Sequence, residues 1–115
     1  METKSAVAAL AALAQDTRLA IYRLLVQRGP EGEAAGRIGE QLGVAPATLS
    51  FHLKALEQAG LAQARQDGRF VRYRADYGAM TALIAYLTEN CCGGNVCVPV
   101  AARCEPVNPE PETAP

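Results

Sequence analysis

The chain has 115 residues, of which half are apolar and 5% aromatic, a composition typical of one small and mostly helical domain. Its formal net charge of -1 excludes a uniformly basic coat for nucleic acid. We read neither a membrane span of roughly 20 apolar residues nor a signal peptide, and therefore expect a cytoplasmic protein with reduced thiols.

The charged residues are unevenly distributed along the chain. Residues 65–74 contain four Arg and one Asp, a local charge of +3, whereas Glu105, Glu110 and Glu112 make the C-terminal stretch acidic. A local basic stripe on a nearly neutral chain is typical of a protein that contacts DNA with one face.

Two amphipathic helices are predicted at the start of the chain. In residues 5–14 the apolar positions with helical spacing are Val7, Leu10, Ala11 and Ala14. A second helix is expected to begin with Asp16 as its N-cap and to end before Gly29-Pro30. Its apolar positions are Leu19, Tyr22, Leu25 and Val26. Residues 31–35 are predicted to form a connecting loop.

The next segment predicts a helix-turn-helix. A short third helix covers Ala35–Leu42, and Gly43 follows it as the residue that ends the helix. Pro46 is well placed as the first residue of a fourth helix that runs to about Ala59. The fourth helix buries Leu49, Leu53 and Leu56. Two short helices joined by a tight glycine-containing turn are the helix-turn-helix pattern.

A basic hairpin and a last helix follow. Residues 61–66 and 69–74 are two short extended runs on either side of Asp67-Gly68, a strong hairpin signal, and a hairpin after a helix-turn-helix is a wing. A fifth helix spans Tyr77–Asn90 with Met80, Leu83, Ile84 and Leu87 on one stripe. We predict that the first and fifth helices pair two copies of the chain into a homodimer.

The fourth helix and the wing carry the residues expected to contact DNA. On the helix, Ser and Thr bond to bases or phosphates, Ala47 suits a thymine methyl group, and Lys54 suits phosphate. The wing arginines suit the backbone or the minor groove. The predicted DNA-binding set is Pro46, Ala47, Thr48, Ser50, Phe51, His52, Lys54, Arg65, Arg69, Arg72 and Arg74. His52 flanks the core face of the helix and is given no specific role.

Two runs of sequence resemble ArsR/SmtB-family repressors. Residues 16–25 are similar to the second-helix segment of the family, and residues 45–56 to its recognition helix with a Ser-x-His-Leu-x-x-Leu core. Gly60-Leu61 and Gly68-Arg69 extend the resemblance, which covers about residues 5–90. It implies a mostly α winged helix-turn-helix homodimer, not an enzyme, which binds an operator and leaves it when an inducer binds.

The chain departs from the family at the usual sensing sites. Many arsenic-responsive members carry a cysteine cluster in the DNA-binding helices, but residues 39–44 and the fourth helix contain no cysteine. The fifth helix has only Asp76 and Glu89 as acidic residues, and the single His lies elsewhere, so the zinc ligands of other branches are missing. Sensing therefore falls to the C-terminal cysteines.

All four cysteines lie between positions 91 and 104. Cys91 and Cys92 sit at the predicted end of the fifth helix, and Gly93-Gly94 lets the chain reverse towards Cys97. Three thiolates without a His suit As(III), which binds three sulfurs, better than zinc, which takes four ligands. The resemblance agrees, since some arsenical repressors of the family sense with a C-terminal Cys-Cys pair and a third cysteine.

Four alternatives remain open at this point. Cys104 is either a spare thiol or a fourth ligand. The inducer is either As(III) or another soft metal ion, Sb, Bi, Cd or Zn, on the same scaffold. A redox sensor would pair Cys91 or Cys92 with Cys97 or Cys104, although no Lys, Arg or His adjoins the pair to activate it. A thiol enzyme would need an anion-binding loop, which the sequence does not supply.

The predicted organisation has three parts. Residues 1–90 form the DNA-binding and dimerisation domain, and residues 91–104 form the inducer-binding segment. Residues 105–115 are a Pro- and Glu-rich tail whose composition cannot build a core.

Overall fold

The computed structural model describes residues 1–94 as five α-helices and a three-stranded antiparallel sheet. The elements are α1 (Thr3–Leu13), α2 (Asp16–Arg28), β1 (Glu33–Ala34), α3 (Ala35–Leu42), α4 (Pro46–Gln58), β2 (Ala62–Asp67), β3 (Phe70–Ala75) and α5 (Tyr77–Leu87), with 3₁₀ turns at Gly29–Glu31 and Cys91–Gly94. This confirms the mostly α winged helix-turn-helix. Within residues 1–94 no helix is long and apolar enough to cross a membrane.

The core lies where α2, α3 and α4 meet the start of β2. Its fully buried large side chains are Ile21, Leu25, Ile38, Leu53, Leu56 and Leu61. Helix α1 packs on this core through three alanines, Ala6, Ala9 and Ala12, whose small side chains allow a close approach. The opposite side of α1 exposes Val7 and Leu10, so this helix is apolar on both faces.

Helix α2 begins differently from the prediction. Gln15, not Asp16, is the N-cap, and its Oε1 accepts a hydrogen bond of 2.8 Å from the Arg18 backbone N–H. Asp16 instead occupies the first helical turn, where its negative charge interacts favourably with the positive end of the helix dipole. Of the predicted apolar positions, Tyr22 and Leu25 are buried, whereas Leu19 and Val26 are exposed. Ile21 and Leu24 are buried in addition.

The helix-turn-helix has the predicted bounds. Helix α3 ends at Leu42, and Gly43 has φ 67° and ψ 37°, the left-handed conformation that glycine adopts at no steric cost. Pro46 is the first residue of α4, where its missing N–H leaves no helical hydrogen bond unmade. The buried side of α4 contains the three predicted leucines, Leu49, Leu53 and Leu56.

The segment predicted as a loop at residues 31–35 contains a short strand. Glu33 and Ala34 pair with Tyr73 and Arg72 of β3, which places β3 at the centre of the sheet. Gly32 permits this approach, because a Cβ at that position would lie 2.1 Å from the Tyr73 carbonyl oxygen. The loop prediction was therefore wrong for these two residues, since pairing with a strand some 40 positions later leaves no local signal.

The hairpin turn is shifted by one residue from the prediction. Asp67 pairs with Phe70, so the two turn residues are Gly68 and Arg69. Gly68 has φ 65°, which suits glycine at the first central position of a tight hairpin turn. Side chains alternate along the strands, and Tyr73 and Ala75 are consequently buried against the core.

Helix α5 is shorter than predicted. Asp76 is its N-cap, and its Oδ1 accepts a hydrogen bond of 3.0 Å from the Ala79 N–H. The helix ends at Leu87, three residues before the predicted Asn90. Of the predicted apolar stripe, Leu83 is buried, Met80 is half-buried, and both Ile84 and Leu87 are exposed.

A candidate DNA-binding surface and a C-terminal thiol pair

Helix α4 presents a face of mixed polar and apolar side chains to solvent. The three buried leucines fix its other side against the core, so the exposed side chains are held on a rigid element. Most of the predicted DNA-contacting residues of this helix are exposed, namely Pro46, Ala47, Thr48, Ser50, Phe51 and Lys54. Phe51 is 66% exposed, so most of its side chain is accessible to solvent.

His52 is the predicted DNA-contacting residue of α4 that lies in the interior. It is 8% exposed, and its Nδ1 lies 3.3 Å from Nη1 of Arg18 on α2. Its ring is also edge-on to that of Phe51, with 5.3 Å between the centroids. The reason is its position on the helical wheel beside Leu49 and Leu56. His52 therefore lies in a packed environment and not on the exposed face of α4.

The wing carries its arginines on the face opposite the core. Arg65 and Arg72 are cross-strand partners, and Arg74 is the partner of Gln63 in the same register. Arg65, Arg69 and Arg74 are exposed, and the Arg74 Nε donates to the Gln63 Oε1 at 2.9 Å. This face has the charge and exposure that a contact with a phosphate backbone needs.

Arg72 differs from the other wing arginines. It is half-buried, and it donates hydrogen bonds to the carbonyl oxygens of Glu31 at 3.2 Å and Gly32 at 3.3 Å. Asp67 lies 4.0 Å from the same guanidinium. Arg72 therefore fastens the turn before β1 to the wing, and much of its donor capacity is already used.

The base of the wing is fixed by a second ion pair. Arg28 Nε lies 2.9 Å from the Glu33 Oε1. The hydrogen bond from Arg28 lowers the pKa of the Glu33 carboxyl below its ordinary value. Burial raises the pKa of the Tyr73 hydroxyl on the core side of β3, so that side chain remains neutral.

Phe70 is a surface residue that the sequence reasoning missed. It follows the turn at the tip of the wing, lies on the arginine face and is 66% exposed. The available signal was its place in the alternation with Arg72 and Arg74, since residues two apart on a strand share a face. The wing tip thus combines an exposed aromatic ring with positive charge.

Helices α1 and α5 carry a further set of exposed apolar side chains. These are Val7 and Leu10 on α1, and Ile84 and Leu87 on α5, with exposures of 58%, 43%, 39% and 57%. The two helices are connected by a hydrogen bond between the Thr3 Oγ1 and the Tyr86 hydroxyl. Large apolar side chains on two connected helices mark a candidate protein interface.

The segment after α5 has left-handed backbone around Cys91 and Cys92. Asn90 has φ 58° and Cys92 has φ 57°, which are left-handed values, and Gly93 follows with φ 68°. Left-handed backbone therefore begins at Asn90, before the Gly93-Gly94 pair, and the predicted course of the chain towards Cys97 lies outside the described residues. Cys91 is half-buried and present as the thiol, whereas Cys92 is exposed and disulfide-bonded.

The remaining predicted ligand, Cys97, and the ambiguous Cys104 lie outside the described residues, as do the predicted tail and most of the predicted inducer-binding segment. Among residues 1–94, no group of three or more His, Cys, Asp or Glu side chains is arranged to hold a metal ion.

The fold and the exposed face of α4 define a winged helix-turn-helix domain. Residues 13–62 match the family model described as a helix-turn-helix domain. The chain is 40% identical over 67 residues to an uncharacterised helix-turn-helix-type transcriptional regulator, YceK, from Bacillus subtilis (strain 168). That match covers 56% of this chain and 66% of the relative, just under two thirds of its length.

Solved structures of ArsR-type regulators are similar to most of the chain. An ArsR-like regulator from Rhodococcus sp. RHA1 matches 73% of this chain and 76% of its own, with 27% identity and a TM-score of 0.62. The homodimeric winged helix-turn-helix domain of Mb0332 from Mycobacterium bovis matches 83% and 88%, with 26% identity and a TM-score of 0.62. The antimony-specific repressor AntR matches 70% and 72%, with 26% identity and a TM-score of 0.56.

The chain thus has the fold of an ArsR-type regulator. The matched proteins are transcriptional regulators, which agrees with the prediction that the chain is not an enzyme.

Proposed function

We propose that this chain is an arsenite-responsive transcriptional repressor. In this proposal a homodimer binds operator DNA and leaves it when As(III) is bound by Cys91, Cys92 and Cys97. The observation that carries the proposal is the combination of an exposed recognition helix with adjacent cysteines three residues after the C-cap of α5. AntR, a structural neighbour, is specific for antimony, whose trivalent form prefers thiolates as As(III) does.

The DNA-binding part rests on the placement of α4 and the wing. The exposed N-terminal half of α4 is the part of a recognition helix that meets base edges, and the wing arginines lie beside it in the same domain. A homodimer is supported by the homodimeric neighbour Mb0332 and by the exposed apolar side chains of α1 and α5. Two copies of α4 would then enter major grooves about 34 Å apart, one turn of DNA.

The inducer chemistry is an exchange of ligands on arsenic. Arsenous acid, As(OH)₃, exchanges its three hydroxide groups for three thiolate sulfurs, and the three thiol protons leave with the hydroxides as three waters. Arsenic remains trivalent throughout. Cys92 must therefore be in the thiol form before it binds, which requires a thiol reductant.

The test compares DNA affinity with and without arsenite. The full chain, reduced with a phosphine, is used to select a duplex from a random-sequence pool, and the dissociation constant for that duplex is measured by fluorescence anisotropy. We expect arsenite to weaken binding by at least tenfold. Ser at position 91, 92 or 97 should leave the affinity of the apo protein unchanged and abolish release. Equal affinity with and without arsenite would contradict the proposal.

Two further measurements identify the ligands. Mass spectrometry of the reduced protein should show one arsenic per subunit and a mass gain that reflects the loss of three protons. Cys104→Ser is the matched control, a cysteine outside the proposed trio, and should release DNA as the wild type does. Antimonite, bismuth, cadmium and zinc salts in the same assay rank the inducers, and zinc should depend on Cys104 if that thiol is a fourth ligand.

A second candidate function is an oxidation-responsive repressor on the same scaffold. The disulfide at Cys92 favours it, because the fold allows a cysteine of this segment to form such a bond. Two thiols and one hydrogen peroxide would give a disulfide and two waters, with the thiol sulfurs oxidised and the peroxide reduced. Release by peroxide and reversal by a thiol, both without arsenite, distinguish this function from the first.

A further inference from the structure

We propose that Arg18 is a positioning residue that fixes the recognition helix α4 to the end of α1 through His52, and that it transmits movement of α1 to the DNA-binding surface. The positioning part rests on the geometry of residues 12, 18 and 52. The transmission part rests also on the proposed function.

Arg18 connects three helices through one side chain. Its Nε donates a hydrogen bond of 2.7 Å to the Ala12 carbonyl oxygen in the last turn of α1. Its Nη1 lies 3.3 Å from the His52 Nδ1 in the middle of α4. The Ala12 carbonyl is one of the helix-end acceptors that have no partner within their own helix, and a guanidinium suits the negative end of the α1 dipole.

The contact with Arg18 defines the form of His52. A guanidinium has only donors, so the Nδ1 of His52 must accept, and the ring is then neutral with its proton on Nε2. His52 is 8% exposed, and the neighbouring Leu49, Leu53 and Leu56 are buried as well. Arg18 therefore supplies the hydrogen-bond donor for the His52 Nδ1, a polar atom on a buried side chain of α4. Rotation of α4 about its axis would break this contact.

Helix α1 connects α5 to Arg18 through contacts at its two ends. At its start, the Thr3 Oγ1 is hydrogen-bonded to the hydroxyl of Tyr86, the residue before the last of α5, and the two adjacent cysteines begin four residues after that helix ends. At its end, the Ala12 carbonyl is held by Arg18. One face of α1 packs on the core through alanines, and the other exposes Val7 and Leu10. A shift of α5 would move α1 as a rigid rod of about 15 Å, and Arg18 would carry that shift to α4.

The experiment measures DNA affinity for variants of the two partners. The full-length variants are Arg18→Gln, Arg18→Lys, His52→Leu, His52→Asn and the double variant Arg18→Gln/His52→Leu. Arg23→Gln is the matched control, since Arg23 is an exposed arginine of the same helix. The probes are the selected duplex and an unrelated duplex of equal length, and thermal unfolding is recorded in parallel.

We expect Arg18→Gln and His52→Leu each to weaken binding of the selected duplex about tenfold, the effect of losing one charge-assisted hydrogen bond. The double variant should be no weaker than the weaker single variant, because both changes remove the same contact. His52→Asn, whose amide oxygen lies near the place of Nδ1, should retain most of the affinity. Arg18→Lys should fall between wild type and Arg18→Gln, because one amino group cannot reach both acceptors as well as a guanidinium.

Several outcomes overturn the positioning role. One is a double variant that binds the selected duplex about a hundredfold more weakly than the wild type, which is the additive result. Another is an equal loss of affinity for both duplexes, because that loss would reflect a smaller folded fraction. If Arg18→Gln does not fold, the comparison of His52→Leu with His52→Asn decides, and equal affinities of these two would refute the role.

The transmission part is read from the ratio of affinities without and with arsenite. In Arg18→Gln this ratio should fall to less than a third of the wild-type ratio, while Arg23→Gln keeps it. An unchanged ratio in Arg18→Gln overturns transmission through Arg18. If the wild type itself does not respond to arsenite or peroxide, the proposed function and transmission both fail, and the double variant still decides the positioning role.

Discussion

Gly39 provides a direct test of the packing that positions the recognition helix. It lies on α3 where that helix crosses the turn and α4, and a Cβ there would stand 3.0 Å from the Val44 carbonyl oxygen and 3.2 Å from the Leu49 Cδ2. The Gly39→Ala change gains about 1 kcal/mol of helix propensity. Overpacking typically costs about 1–3 kcal/mol. The Val44 N–H donates a hydrogen bond of 3.0 Å to the Gly39 carbonyl oxygen. The turn that contains Val44 therefore cannot move away from an added Cβ without losing this bond. We therefore expect a net loss of about 1 kcal/mol.

Gly36→Ala is the matched control for this prediction. It is an exposed glycine of the same helix, and a Cβ there would meet nothing within 4 Å. That change should stabilise the protein by about 0.5–1 kcal/mol through helix propensity alone. Urea unfolding followed by circular dichroism gives both free energies, and their difference isolates the crowding at Gly39. Anisotropy with the selected duplex should show weaker binding for Gly39→Ala only. Equal stability of the two variants would refute the reasoning.

Further predictions follow from three single side chains. The Tyr22 hydroxyl is buried without a hydrogen-bond partner among residues 1–94, so Tyr22→Phe should raise the free energy of unfolding by about 1 kcal/mol in urea titrations. Burial raises the pKa of Tyr22 to about 12, and the wild type should therefore lose stability between pH 10 and pH 12 by more than Tyr22→Phe does. Arg28 lowers the pKa of Glu33, so the ion pair contributes fully to stability above the pKa that Glu33 has in the unfolded chain, and this contribution is lost as pH falls. Glu33→Gln should therefore show a smaller decline in urea midpoint than the wild type between pH 5 and pH 3. Arg69→Ala should reduce the slope of log affinity against log salt by about one, and an unchanged slope would exclude a phosphate contact.

The helix-turn-helix was predictable because its signals are local. Gly43 supplies a backbone conformation that other residues adopt at a cost, and Pro46 fits only the first turn of a helix, so both ends of the turn are fixed by single residue types. The two hairpin strands, β2 and β3, were predictable from Gly68 for a similar reason, although the turn is displaced by one residue because Asp67 pairs with Phe70.

The elements that sequence reasoning missed depend on contacts between distant residues. Strand β1 exists because Gly32 allows the backbone to approach Tyr73, and nothing in the five residues around it has strand periodicity. The same holds for side-chain roles. Spacing placed His52 beside the core, but its partner Arg18 is 34 positions away. Arg72 was grouped with the other wing arginines because pattern alone does not reveal hydrogen bonds to carbonyls 40 residues earlier.

The proposed repressor requires a coupling free energy between its inducer site and its DNA-binding surface, and the size of this energy can be worked out. The thiol pair follows α5, and the DNA-reading side chains lie on α4 and the wing, so an inducer there acts through packing and not by direct competition for DNA. Moving a dimer from almost fully bound to almost fully released takes about 5.5 kcal/mol of differential affinity. With one inducer site per subunit, each site must supply about half of that, roughly 3 kcal/mol. This is the upper end of ordinary allosteric coupling, which is typically about 1–3 kcal/mol. Groove spacing makes such a value attainable, because a dimer whose two copies of α4 no longer match one turn of DNA loses contacts at both half-sites at once.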